Sequence, residues 1–145
     1  MSTIRELLSR KGGAVMMIGK DASVRDAIEI MSNANIGAIV VEEDNSPIGI
    51  FTERDYLRKI ALKGRSSSNT SLEEVMSAPL ITVGPDDSLE TGMETMTTCR
   101  CRHLIVSDDN EGMVGIVSLG DLVKHMLQEK EAEVEHLAHY IAGSY

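Results

Sequence analysis

Residues 49–55 read GIFTERD and residues 115–121 read GIVSLGD. Each is a glycine, two apolar residues, a hydroxyl residue, two variable positions and an aspartate. The likeness extends upstream. Ser23-Val24 answers Ser88-Leu89, Met31 answers Met96, and the apolar run 38–41 answers 103–106, all at a spacing of 65. At the glycine motif the spacing becomes 66, so one residue has been added in the loop that begins near Asp108. A collinear repeat of this length implies two copies of one folded unit, with equivalent clefts between them.

With 145 residues, the chain is one compact module or two small ones. One repeat alone would bury too little surface to be comfortably stable, so a shared core is expected. With no Trp, one Phe and three Tyr, that core is aliphatic, and stacking sites for bases are scarce. The net charge of −9 and the absence of a Lys/Arg-rich stripe argue against nucleic acid as partner. No apolar run is long enough to cross a membrane, and the start, MSTIRELLSRKGG, reads as a first helix rather than a signal peptide. Cys99 and Cys101 are too few and too close for a secreted disulfide framework. A reducing, cytoplasmic setting is expected.

Each copy opens with a hydroxyl residue three before a glutamate, Thr3…Glu6 and Ser71…Glu74, a capping-box pattern that starts a short helix. An apolar segment follows, 14–18 and 80–83. Amphipathic helices then start at Ser23 and Ser88, carrying Val24, Ala27, Ile28 and Met31 in one copy and Leu89, Met93 and Met96 in the other. Strands are expected at 37–41 and 47–51, and at 103–106 and 113–117, joined by Asp/Asn turns. A last helix starts at each motif. The boundaries are a first repeat over 3–62, a Ser-rich polar and mobile loop over 63–70, a second repeat over 71–128 and a helical extension over 129–145. In the last helix, Leu122, Met126, Val134, Leu137 and Ile141 form one apolar stripe, and Tyr140 and Ile141 lie beyond the repeat.

On one occurrence, Thr52-x-x-Asp55 would be a helix cap and nothing more. Its duplication as Ser118-x-x-Asp121 invites a second reading. A hydroxyl and free N–H groups at a helix start suit a phosphate, and a carboxylate one turn on can accept hydrogen bonds from two vicinal hydroxyls. That is chemistry suited to a ribonucleotide.

Together with ANIGAIVVEED, CRCRHLIVSDD and the starts MMIGKDASV and ITVGPDDSL, the two motifs resemble a tandem pair of CBS domains, a Bateman module, over roughly residues 3–128. The fold this implies is α/β: two CBS repeats of βαββα type, related by pseudo-twofold symmetry and forming one module, with an extra C-terminal helix. The family implies a non-catalytic regulatory sensor of an adenosine ligand, with the base held between apolar residues of both repeats. By position, one site would use Thr52, Arg54, Asp55, Leu80, Ile81, Thr82, Arg102 and His103. The other would use Ser118, Asp121, Met16, Met17, Gly37 and Ala38. The first carries the cations Arg54, Arg58, Lys59 and Arg102, and Gly120 stands where it has Arg54, so nucleotide is expected at Asp55 first. Met17 opposite Thr82 makes the Asp121 site more apolar.

AMP is the ligand the resemblance favours, with ADP, ATP and S-adenosylmethionine as alternatives and no cofactor required. Such modules pair into homodimers through their helices and pass their state to a regulated protein. The competing readings are a ligand-independent dimerisation module, an S-adenosylmethionine or dinucleotide sensor, and a metal or redox protein using Cys99 and Cys101. For the last, C-x-C-x-H is no established zinc spacing and a fourth ligand is missing.

Overall fold

The computed structural model describes residues 2–12 and 14–143, with side chains to residue 139. In chain order the elements are α1 (Ile4–Lys11), β1 (Met17–Gly19), α2 (Val24–Ala34), β2 (Ala38–Glu43), β3 (Ser46–Thr52), α3 (Glu53–Asp55), which continues as a π-helical segment Tyr56–Ala61, α4 (Leu72–Val75), β4 (Thr82–Val83), α5 (Leu89–Cys99), β5 (His103–Asp108), β6 (Gly112–Ser118) and α6 (Leu119–Gly143). The α/β expectation holds: there are two three-stranded sheets, β1-β2-β3 and β4-β5-β6, and a C-terminal helix. In each sheet the first strand is parallel to the central one, and the third is antiparallel to it.

The hairpins explain the shift in repeat spacing. β2 and β3 are joined by two residues, Asp44 and Asn45, both with positive φ. That is the turn whose twist matches paired strands. The second hairpin spends three residues between Asp108 and Gly112, and Gly112 takes φ 72°. The added residue sits there, so everything after it in the second copy is displaced by one.

The chain divides into two compact units, residues 14–81 and residues 1–13 with 82–145. The cut does not follow the repeat boundaries. Each unit consists of one repeat's sheet with the other repeat's opening helix. In the unit 14–81, Leu72 and Glu73 donate backbone hydrogen bonds to Ala22 and Lys20. In the other unit, Ile4 and Arg5 donate to Asp87 and Pro85 by the same pattern. The exchange supplies apolar cover that neither sheet has from its own repeat: Leu72 and Val75 are buried in one unit, Ile4 and Leu7 in the other.

The core of unit 14–81 is built from Val24, Ala27 and Met31 of α2, Ile39 and Val41 of β2, and Phe51 and Ile60. In the other unit Leu89, Met96, Leu104, Val106, Val117 and Leu122 are buried. Each such side chain contributes about 1.5–3 kcal/mol when fully removed from water. Residues 63–70, expected as a mobile loop, are tied to α2. The first-turn N–H groups of Val24 and Arg25 donate to the carbonyls of Thr70 and Ser67, and the buried Thr70 hydroxyl donates to Ser66 at 2.7 Å. Those N–H groups have no partner inside a helix, so the loop completes the helix start.

In the last helix Leu127, Val134 and Leu137 are exposed. The side chains of Tyr140 and Ile141, counted in its stripe, and the last two residues of the extension lie outside the described residues.

Candidate functional site: two carboxylate clamps

Both motifs form at the same place in their units, where the third strand runs directly into a helix. At the first, Asp55 Oδ2 accepts from the Thr52 backbone N–H at 3.0 Å and from its hydroxyl at 3.2 Å, while the Asp55 N–H donates back to that hydroxyl at 3.2 Å. At the second, Asp121 Oδ2 accepts from the Ser118 N–H at 2.8 Å, and the Asp121 N–H donates to the Ser118 hydroxyl at 3.0 Å. The capping reading is therefore correct for both copies, and each cap fixes its carboxylate against the strand end.

Beyond the cap the copies diverge. Asp55 is buried, and its Oδ1 accepts from the Ser77 hydroxyl at 2.9 Å and from Lys59 Nζ at 3.0 Å. Lys59 also donates to the Val75 carbonyl at 2.9 Å. A carboxylate offers about four lone-pair sites, and all of those on Asp55 are in use. Asp121 is paired instead with Lys11, the last residue of α1, at 2.6 Å on Oδ2, and Lys11 donates also to the Ile116 carbonyl at 2.7 Å. Oδ1 of Asp121 has no donor among the described residues. No buried side-chain oxygen among them is left unpartnered, so Oδ1 faces solvent.

The two segments gripped by these carboxylates are equivalent. Lys11 and Ser77 each end an exchanged opening helix or follow it closely. The motif glycines make room for the same segments. A Cβ on Gly49 would lie 2.6 Å from Met76 Sδ, and one on Gly115 would lie 2.7 Å from Leu8 Cδ2.

Burial alone pushes the Asp121 carboxyl up, but hydrogen bonds from Lys11 and Ser118 and the lysine's charge outweigh it. They hold the carboxyl below the ordinary aspartate value of 3.8. A depressed folded pKa adds stability that is complete above about pH 4 and is lost as the pH falls through the folded value. Urea unfolding near pH 6 and near pH 3 is expected to show a larger acid loss in wild type than in Lys11→Met. Equal losses would mean that the pairing adds nothing.

Unit 14–81 holds Thr52, Arg54, Asp55, Met16, Met17, Gly37, Ala38, Leu80 and Ile81. Ala38 pairs with Thr52 in register, and Gly37 accepts from the Glu53 N–H at 3.1 Å. Met16 and Met17 are exposed, and Leu80 and Ile81 half-buried. The other unit holds Thr82, Arg102, His103, Ser118 and Asp121. There His103 pairs in register with Ser118, and the Leu119 N–H donates to the Arg102 carbonyl at 2.8 Å. Arg102 and His103, grouped with Asp55 on sequence grounds, belong to the unit that holds Ser118. Lys59, counted as a cation for phosphate, is committed to Asp55. Lys11 and Ser77 were missed altogether; they lie 110 and 22 positions from their aspartates, with no local pattern to connect them.

A groove of about 420 Å³ on unit 14–81 is lined by Ile28, Met31, Ile36, Phe51, Tyr56 and Leu57, among others, and by neither Thr52 nor Asp55. Cys99 and Cys101 are unpaired; burial, and after it Cys99, pushes the Cys101 thiol up. Among the described residues no group of three His, Cys, Asp or Glu is placed to hold a metal. No helix among them is long and apolar enough to cross a membrane.

Residues 4–62 and 72–128 each match the CBS domain. The mitochondrial CBS domain-containing protein CBSX3 of Arabidopsis thaliana is 40% identical over 99% of this chain and 74% of its own length. A CBS-domain protein from Burkholderia ambifaria has a solved structure that superposes with a TM-score of 0.84 at 38% identity, over 88% of this chain and 95% of that one. A CBS-domain protein from Pyrobaculum aerophilum, solved as a complex with AMP, shares the fold at a TM-score of 0.72 and 24% identity, over 83% of this chain and 89% of that one.

Proposed function

Because the chain belongs to the CBS-domain family, we propose that it is a non-catalytic regulatory module that senses an adenosine nucleotide, AMP foremost, and passes its state to a partner protein. The observation that carries this reading is the duplicated strand-end motif. In both copies the cap presents a fixed carboxylate beside a hydroxyl, with a lysine within 3.0 Å of the carboxylate. Carboxylate, hydroxyl and ammonium at one strand end suit a ribose and a phosphate together. The AMP held by the Pyrobaculum aerophilum protein supports the same ligand class.

A sensor responds only if the ligand binds its states unequally. A motif carboxylate with a lone pair left for the ligand supplies a basis for that, because it also grips the segment that ends an exchanged helix. Ligand hydroxyls that draw on the carboxylate alter the grip.

AMP at a hundredfold excess over its Kd is expected to stabilise the chain by about 2.7 kcal/mol, a rise in melting temperature on the order of 5–10 °C. A panel of AMP, ADP, ATP, S-adenosylmethionine and a dinucleotide ranks the ligands. No shift with any of them, in a chain that still dimerises, would establish the ligand-independent interaction module instead. That second reading has its own support in Leu57, Val123 and Leu127, which are exposed on the helices that follow the motifs, and in Leu62, exposed just past the first of them. A homodimer through such helices is compatible with either reading. Two unpaired thiols suit a reducing compartment; the cytoplasm is one, and the Arabidopsis relative is named as mitochondrial.

A further inference from the structure

We propose that the two motifs have parted company: Asp121 takes the ribose hydroxyls of the ligand, Asp55 is structural, and Lys11 is a ligand contact that selects a phosphorylated nucleoside. This rests on the adenosine reading above and names the site within it.

The division follows from the hydrogen-bond capacity of the two carboxylates. Asp55 accepts from Thr52 twice, from Ser77 and from Lys59, and is only 6% exposed. A ribose diol needs two acceptor positions: Lys59 can turn to water and release one, but the second could come only from Thr52 or Ser77, whose part-buried donors would be left unpaired. Asp121 accepts from Ser118 and Lys11 on Oδ2 alone, and its side chain is 25% exposed. Its Oδ1 can accept two hydroxyls with no donor displaced. Because Lys11 and Ser118 depress its pKa, Asp121 stays ionised throughout the neutral range and acts purely as an acceptor.

Lys11 adds the second element of recognition. Its ammonium has three N–H groups, of which Asp121 and the Ile116 carbonyl take two. The third is unclaimed among the described residues, on a side chain 35% exposed. An ammonium in direct contact with the diol-binding carboxylate is within reach of a phosphate on the same ribose, and a charge-assisted contact of this kind is about twice as strong as a neutral one. Lys59 keeps a donor too, so the carboxylates, not the lysines, separate the motifs. The Arg102 carbonyl accepts from the Leu119 N–H, next to Ser118, which places a cationic residue at the same strand end.

Isothermal titration of the full chain with AMP and with adenosine tests this, using wild type, Asp121→Asn, Asp55→Asn and Lys11→Met, each checked for fold by circular dichroism. One AMP per chain is expected in wild type. Asp121→Asn is expected to weaken AMP about tenfold or more, and Asp55→Asn to lower the melting temperature while leaving AMP affinity within about twofold. Lys11→Met should weaken AMP about tenfold and leave adenosine within about twofold. A merely structural Lys11 would move both ligands together, which would overturn its role as a contact. Two equal sites per chain, each lost with its own aspartate, or loss of AMP in Asp55→Asn alone, would overturn the asymmetry and leave the adenosine reading intact. If wild type binds neither ligand, the adenosine reading itself falls. Should Asp121→Asn not fold, the AMP-to-adenosine ratio in Lys11→Met decides.

Discussion

Replacing Asp55 with alanine is expected to lower the unfolding free energy by about 3 kcal/mol. The carboxylate is buried and accepts from the Thr52 N–H, the Thr52 hydroxyl, the Ser77 hydroxyl and Lys59. Alanine leaves all four donors without their acceptor. Lys59 is 40% exposed and turns to water at little cost. The Thr52 N–H and the Ser77 hydroxyl are part-buried, and an unsatisfied donor in such a place costs about 1–3 kcal/mol. Asp121→Ala is expected to cost only about 1 kcal/mol. Its carboxylate is more exposed, and Lys11 is free to turn toward water. Urea unfolding of both variants, with the m-value checked for constancy, measures the contrast. Equal losses would mean that saturation of the Asp55 carboxylate contributes nothing.

That contrast bears on what a sequence of this kind makes legible. The repeat itself, read residue against residue, was enough for the order of elements. The strands at 38–43 and 103–108 are buried runs flanked by turn residues, and α2 and α5 begin where Ser23 and Ser88 cap them. The caps at Thr52 and Ser118 were legible for the same reason, because hydroxyl and carboxylate are three residues apart. Lys59 lies one turn past Asp55 and could be suspected as its partner from spacing alone. Lys11 could not, since its link to Asp121 exists only because α1 packs against β6 and α6. The exchange of opening helices has no local signature: Thr3 and Ser71 look alike, and nothing near either says which sheet it will meet.

The π-helical segment 56–61 was equally hidden, and its cause is packing. Asp55 and Ile60 are both buried, five residues apart. On a regular α-helix such a pair points about 140° apart. The wider i→i+5 turn brings them toward one face. In the second copy the buried residues after the motif are Leu122 and His125, three apart, and α6 stays regular. The divergence of the two sites thus begins in backbone geometry. It leaves Lys59 bound to Asp55, while His125 occupies the equivalent position one turn past Asp121.

Gly49→Ala is the second large effect, about 2 kcal/mol of destabilisation. The cost is purely one of space, because Gly49 lies in a strand with ordinary φ. Its new Cβ would meet Met76 Sδ at 2.6 Å, Met76 Cγ at 3.0 Å and the Ser77 carbonyl oxygen at 3.0 Å. The methionine side chain can rotate away, but the Ser77 backbone cannot retreat freely. It exchanges two hydrogen bonds with Ile50, at 2.8 and 3.0 Å, and its hydroxyl is held by Asp55. Gly115→Ala meets only the side chain of Leu8, at 2.7 and 2.9 Å from its methyl carbons, and is expected to cost about half as much. The glycine and the aspartate of the first motif therefore hold one segment between them, and their effects should not add. In a double-mutant cycle, Gly49→Ala combined with Ser77→Ala is expected to cost less than the two single changes together, by about 0.5 kcal/mol or more. Strict additivity would separate the two ends of the motif and leave the glycine as a packing residue alone.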